Sequence, residues 1–233
     1  SELARVKGSS GSTGETRGLG VRCLALVLGV ALALGTLPWA VAAPAPGQTN
    51  CNGASATAQG SLACGKGAKA SGVDSTAVGV NAAASGEQAS AFGNDAAASG
   101  NLSTAIGGSS TAAGTGSSAF GNNAYASGDG STALGQDSTA SGLNATAVGY
   151  GSAATGDHSL ALGDSAAAVG SNDIALGNGA KTGGTYGGNI AIGEGAYAGF
   201  TGAYAGYGGG NTADGKVAKS TGKCATAIGR NTN

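Results

Sequence analysis

One glycine returns every 14 residues without a slip, at Gly65, Gly79, Gly93, Gly107, Gly121, Gly135, Gly149, Gly163 and Gly177. A second follows seven residues later, from Gly72 and Gly86 through Gly156 and Gly170. Ahead of each closing glycine from Gly79 onward stand an alanine and then an apolar residue, as in Ser75-Thr76-Ala77-Val78-Gly79 and Ala89-Ser90-Ala91-Phe92-Gly93. A flexible Gly-rich linker keeps no such period. Each repeat therefore reads as two seven-residue halves, both closed by a glycine taken to supply the backbone angles of a tight turn. A fixed period of this kind specifies a solenoid, in which one small unit stacks on the next.

Composition narrows the choice. The 48 glycines among 233 residues are not placed at every third position, which excludes a collagen helix. Hydrophobic residues make up 41% of the chain, but most are alanine and only 4% of residues are aromatic. A single large core cannot be built from methyl groups, so the repeat favours one elongated body. With 10% charged residues and a formal charge of -1, the chain also lacks the composition of a solvated, disordered polymer.

Side chains alternate between faces along an extended segment. Ser75 and Ala77 share one face, where nothing larger than a methyl or hydroxyl recurs; this must be the interior of the coil. Ala82 and Ala84, or Ala124 and Ala126, fill the same role in the second half. Outward positions of the second half are mostly small or polar, such as Ala83 and Ser85, or Thr139 and Ser141. In the first half they include Val78, Phe92, Ile106, Phe120, Leu134, Val148, Leu162 and Leu176, which stacking would align into one apolar stripe. Such a stripe marks an interface. Burying eight side chains of this size contributes on the order of 10 to 20 kcal/mol, whereas an alanine interior barely offsets backbone ordering at about 1 to 2 kcal/mol per residue. The oligomer is therefore the expected folded species.

Ser75-Thr76-Ala77-Val78-Gly79, Ser103-Thr104-Ala105-Ile106-Gly107 and Ser131-Thr132-Ala133-Leu134-Gly135, alternating with an Ala-x-Ala-x-Gly half, resemble the head repeat of trimeric autotransporter adhesins of the YadA type. The resemblance implies an all-β fold, a left-handed parallel β-roll of 14-residue rungs, with three chains side by side on a Gram-negative outer membrane. It implies a homotrimer whose partners are a host or matrix protein, another cell or an abiotic surface. Family members continue into a neck, a coiled-coil stalk and a carboxy-terminal membrane barrel, and membrane attachment would run through such an anchor, whose pattern these 233 residues do not show.

Four segments result. Residues 1–42 read as a secretory signal peptide, with Arg5, Lys7, Arg17 and Arg22 ahead of an apolar run and Ala40-Val41-Ala42 as the cleavage site. Residues 43–59 read as linker and cap, and 60–193 as head repeats. Residues 194–233 read as an irregular Gly/Tyr-rich region with one final degenerate repeat, because the spacing stretches from 14 to 16 and register is lost after Gly193. In that region Tyr197, Tyr204 and Tyr207 are candidate partner-binding residues.

Chemical motifs are sparse. Gly60 to Lys66 imitates a phosphate-binding loop, but Gly67 stands where a Ser or Thr would hold magnesium. His158 is the sole histidine, so one chain assembles neither a Ser-His-Asp triad nor a histidine metal site. Asp74, Asp95, Asp129, Asp137, Asp157 and Asp164 fall in or beside turns, which turn preference explains without calcium. No cofactor and no enzymatic activity are expected. From Ser71 to Ala180 there is no Lys or Arg against eight acidic residues, a surface expected to repel nucleic acid and heparin-like polyanions; basic residues return at Lys216, Lys219, Lys223 and Arg230. Of the cysteines beyond the leader, Cys51 and Cys64 are a candidate disulfide stapling the first rung, with three tolerated thiols (Cys224 included) as the alternative.

A surface adhesin head is the leading function, with a secreted structural coat and an ice-binding solenoid as alternatives. Thr76, Thr104, Thr132 and Thr146 suggest the last, but their column passes to Leu160 and Ile174.

Overall fold

A computed structural model describes residues 48–184, 187–199, 210–222 and 224–232. The leader expected over 1–42 lies outside the described residues, as do Tyr204, Tyr207 and Lys223. Every regular element among the described residues is a strand. Strands of three residues alternate with strands mostly of two, and the two kinds stack into separate parallel sheets of 13 and 12 strands. The first sheet runs from Thr49–Cys51 to Thr226–Ile228, and the second from Ser55–Ala56 to Lys219–Ser220. The result is a parallel β-solenoid of about twelve turns.

A representative turn shows why the sequence closes this way. Thr76–Val78 lies in the first sheet, Ala83–Ala84 in the second, and each pairs one full repeat onward, Ala77 with Ala91 and Ala84 with Ala98. Ser75, Ala77, Ala82 and Ala84 are all fully buried, so the two sheets face each other across methyls and hydroxyls as the alternation requires. The turn after the first strand places Asn81, Asp95, Asn123 and Asp137 at φ between 54° and 58°, the left-handed region that Asn and Asp tolerate best.

The two glycine columns do different work, and this corrects their shared reading as turn formers. Gly79, Gly93 and Gly135 do adopt φ between +134° and +142°. Gly86, Gly100 and Gly128 have no left-handed backbone. There a Cβ would lie 2.0 or 2.1 Å from the carbonyl oxygen of the next glycine in the column. Clearance between stacked turns, rather than dihedral freedom, excludes a side chain.

The coil also extends past both expected ends. Thr49–Cys51 pairs with Leu62–Cys64 ahead of residue 60. Beyond Gly193, Ile190 aligns with Thr212 and Thr212 with Thr226, so the register expected to fail is kept through one long turn.

Asparagine and aspartate make that possible. In a regular turn the interior-column residue donates its N–H to the carbonyl three residues back, as Ser75 does to Gly72 and Ser159 to Gly156, both at 3.2 Å. Where the turns lengthen, a side chain from the preceding turn is the acceptor. Asn189 then donates its N–H to Asp173 Oδ1 at 2.8 Å across 16 residues, and Asn211 donates to Asn189 Oδ1 at 3.1 Å across 22. Ala225 completes the series on Asn211 Oδ1 at 3.0 Å. Side-chain Nδ2 groups of Asn189 and Asn211 bond along the same ladder at 3.1 and 3.0 Å. Asp173 Oδ2 accepts the Gly170 N–H at 2.8 Å. All three side chains are fully buried in the column that serine occupies elsewhere.

Asn189→Ala removes one acceptor and one donor from this ladder and leaves the Asn211 N–H buried without its partner. The expected destabilisation is about 3 kcal/mol, against less than about 0.5 kcal/mol for Asn94→Ala on the solvated turn. Urea unfolding of both variants checks the difference, with equal midpoints excluding a supporting role for the ladder.

Candidate functional site

Register places the apolar stripe in a single line. Val78 pairs with Phe92, Phe92 with Ile106, Ile106 with Phe120, and so on through Leu134, Val148, Leu162 and Leu176. Cys64 precedes this line and Ile192 extends it. In the single chain Ile106 is 41% and Leu134 46% exposed, well above what a core residue shows. The neighbouring outward column of the same sheet is threonine and serine from Thr76 to Thr146, then Leu160, Ile174 and Ile190, and threonine again at Thr212 and Thr226. Its threonine array is thus interrupted, and the apolar face doubles in width over the turns of Leu160, Ile174 and Ile190. Contiguous apolar surface of that extent makes this line the candidate contact surface.

The second sheet presents a different exterior. Ala83, Ala97, Thr111, Thr139 and Ala153 are small, with Tyr125 projecting 43% exposed among them. Toward the carboxy-terminal turns the column becomes Lys181, Tyr197 and Lys219, in register on successive strands. Of the three tyrosines singled out from sequence, Tyr197 alone lies among the described residues, half-buried on this outward face.

Turn carboxylates and amides are committed to neighbouring turns. Asp129 Oδ1 accepts the Thr115 N–H at 2.7 Å and Asp157 Oδ1 the Leu143 N–H at 2.9 Å. Asn81 donates to Asp95 at 3.0 Å and Asn123 to Asp137 at 3.1 Å. These ladders give the acidic residues a structural use along the coil edges. A shallow cleft of about 600 Å³ opens beside the lengthened turn at Thr155, Asp157, Val169 and Gly184, and its carboxylate is the one already bonded to Leu143. The imitation phosphate loop is part of the coil: Leu62–Cys64 is a strand, and Gly65 and Gly67 take the turn angles of every other repeat. His158 is an exposed turn residue at φ 57°.

Cys51 and Cys64 are register partners with Cα atoms 4.6 Å apart, and the structure joins their sulfurs. Cys224 is exposed in the last turn.

Comparison with known families matches residues 70–96, 98–124, 126–152 and 154–180 to the YadA head domain repeat (2 copies). Each match spans two turns of the coil. No curated protein is matched.

Proposed function

We propose, for a chain whose residues 70–180 are YadA-type adhesin head repeats, that it works as a passive binding head: a homotrimeric rod held at the cell surface that mediates attachment or self-association. Exported, cell-surface display is what this family implies; the finer placement proposed is the outer membrane of a Gram-negative cell. The observation that carries the reading is the in-register apolar line from Val78 to Leu176 on a coil whose own interior is alanine and serine. A one-sided apolar rod covers that line by parallel association about one axis, so Val78, Phe92, Ile106, Phe120, Leu134, Val148, Leu162 and Leu176 are assigned to the trimer interface. The Cys51–Cys64 bridge is proposed to staple the first described turn, Thr49–Cys51 onto Leu62–Cys64.

Attachment itself is assigned to the exterior and to the lengthened turns around Tyr197, where the sequence leaves its 14-residue period. Three chains on one axis and many rods on one surface turn weak contacts into firm ones. Beads carrying residues 43–233 are expected to adhere to matrix protein, cells or an abiotic surface. Replacing the sequence between Gly199 and Gly210 by a short turn is expected to cut adhesion at least several-fold while the rod stays folded. Full adhesion after the replacement would move the site to the regular turns. Absence of adhesion to every surface would favour a structural coat.

A further inference from the structure

The sequence separates Lys181, Tyr197 and Lys219 by unequal intervals, but the coil sets them on adjacent strands with Lys181 opposite Tyr197 and Tyr197 opposite Lys219. Adjacent strands lie about 4.8 Å apart, so two ammonium-bearing residues about 10 Å apart bracket one aromatic ring on the outward face. Both lysines are exposed. Among the described residues the ion pair is Lys216 with Glu194 at 2.7 Å, which leaves Lys181 and Lys219 without a carboxylate partner.

The ring is seated rather than loose. A Cβ added at Gly183 on the neighbouring strand would meet Tyr197 Oη at 2.6 Å, so the glycine makes room for the phenol. Lys216 and, one strand further, Arg230 bring cations to the adjoining turn, with Asn231 bonded back to Lys216. From 181 to 233 the sequence holds Lys181, Lys216, Lys219, Lys223 and Arg230 against Glu194 and Asp214, whereas residues 71–180 hold eight acidic residues and no basic ones. The long middle of the coil is acidic, and five basic residues return at this end, against two, Lys66 and Lys69, near the other.

We infer that the Lys181–Tyr197–Lys219 face is a binding site for an acidic polysaccharide. A pyranose offers an apolar C–H face to a fixed aromatic ring, while its carboxylate or sulfate groups repeat along the chain and pair with flanking ammoniums. A second copy of the rod suits the site less well. Its acidic side chains at Asp95, Asp129, Asp137 and Asp157 already hold turn amides and so are poorly placed to pair with lysine. A seated ring between two charges would also be idle in such a contact. This inference deepens the adhesin reading by naming a partner class for the irregular end.

The test uses the full chain on three immobilised polymers: dextran sulfate, polygalacturonate and neutral dextran. Retention on at least one acidic polymer, release by salt and passage through neutral dextran are expected. Preference between the two acidic polymers distinguishes sulfate from carboxylate as the group recognised. Lys181→Glu with Lys219→Glu should weaken retention at least tenfold without moving the melting temperature. Lys66→Glu with Lys69→Glu, a basic pair near the other end with no tyrosine between its lysines, should leave it within twofold. Equal loss in the two double variants would reduce the effect to net charge and overturn the site, as would retention indifferent to Lys181 and Lys219. Tighter binding of an oligonucleotide, or salt-sensitive rod association lost in the same double variant, would reassign the face. Cell attachment is scored separately: attachment that survives the Lys181/Lys219 change sinks this site and spares the adhesin reading.

Discussion

Ile106→Asp and Val148→Asp are each expected to dissociate the assembly and unfold the rod, while Ser141→Asp leaves both intact. Ile106 and Val148 stand on the apolar line of the first sheet, Ser141 on an exposed position at the edge of the second. Each apolar side chain on the line contributes roughly 1.5 to 3 kcal/mol when covered. In the proposed trimer a carboxylate introduced there would be dehydrated against two other chains with no cation in reach, since residues 71–180 contain no Lys or Arg. Three copies of the charge would meet near its axis, which would add mutual repulsion to the cost. Because the alanine interior alone contributes little beyond what backbone ordering consumes, loss of association and loss of fold should coincide. Light scattering and thermal melts on the three variants read both. A single melting temperature for all of them, or a stable folded monomer of the parent chain at micromolar concentration, would mean the faces are assigned wrongly.

The coil's cross-section was legible in sequence because it follows from two periods alone. A 14-residue repeat fixes which residues stack, and alternation fixes which face inward, so Ser75 and Ala77 are buried and Val78 is aligned with Phe92 as expected. What lay beyond that reach concerns contacts between turns. Glycine in the column of Gly86 and Gly128 looks like any turn glycine until the stacked carbonyl above it is placed. The turn closed by Gly215 was missed for a simpler reason: Asp214 occupies the stripe position opposite Ile192, and the motif is unrecognisable without its apolar residue.

The interior ladder carried a signal that could have been used. Asp173, Asn189 and Asn211 each stand two residues before an interior alanine, in the place where serine recurs, and each adjoins a lengthened turn. A side chain with an acceptor there takes the N–H of the interior residue one turn on. Serine cannot, being one bond shorter; the hydroxyls of Ser75, Ser103, Ser117, Ser131 and Ser159 make no bond to protein atoms at all. Polar residues in a small-residue column therefore mark where the coil tolerates inserted turns. By the same logic the bracket of lysines around Tyr197 is invisible at intervals of 16 and 22 residues, and appears once the ladder restores the register.

Gly128→Ala and Gly135→Ala are expected to break the rod near its middle, and Gly116→Ala to be borne with a modest loss. At Gly128 the new Cβ would sit 2.0 Å from Gly142 O, and at Gly135, where φ is +138°, 2.4 Å from Gly149 O. Neither oxygen can retreat alone, since both belong to backbone held by the turn above. Relieving the clash means parting two turns and stretching the strand bonds on both sheets, such as Thr132 N–H to Ala145 O at 2.9 Å. A cost above about 4 kcal/mol per chain follows. Gly116 shares the left-handed φ, at +66°, but nothing stands within 4 Å of its Cβ, so dihedral strain of about 1 to 2 kcal/mol is the whole penalty. In a stack where each turn touches only its neighbours within the chain, a parted interface at Gly128 should split one transition into two. Calorimetry on the three variants, with hydrogen exchange to locate the opened amides, measures this. Equal melting of Gly116→Ala and Gly128→Ala would show that clearance between turns is not what Gly128 supplies.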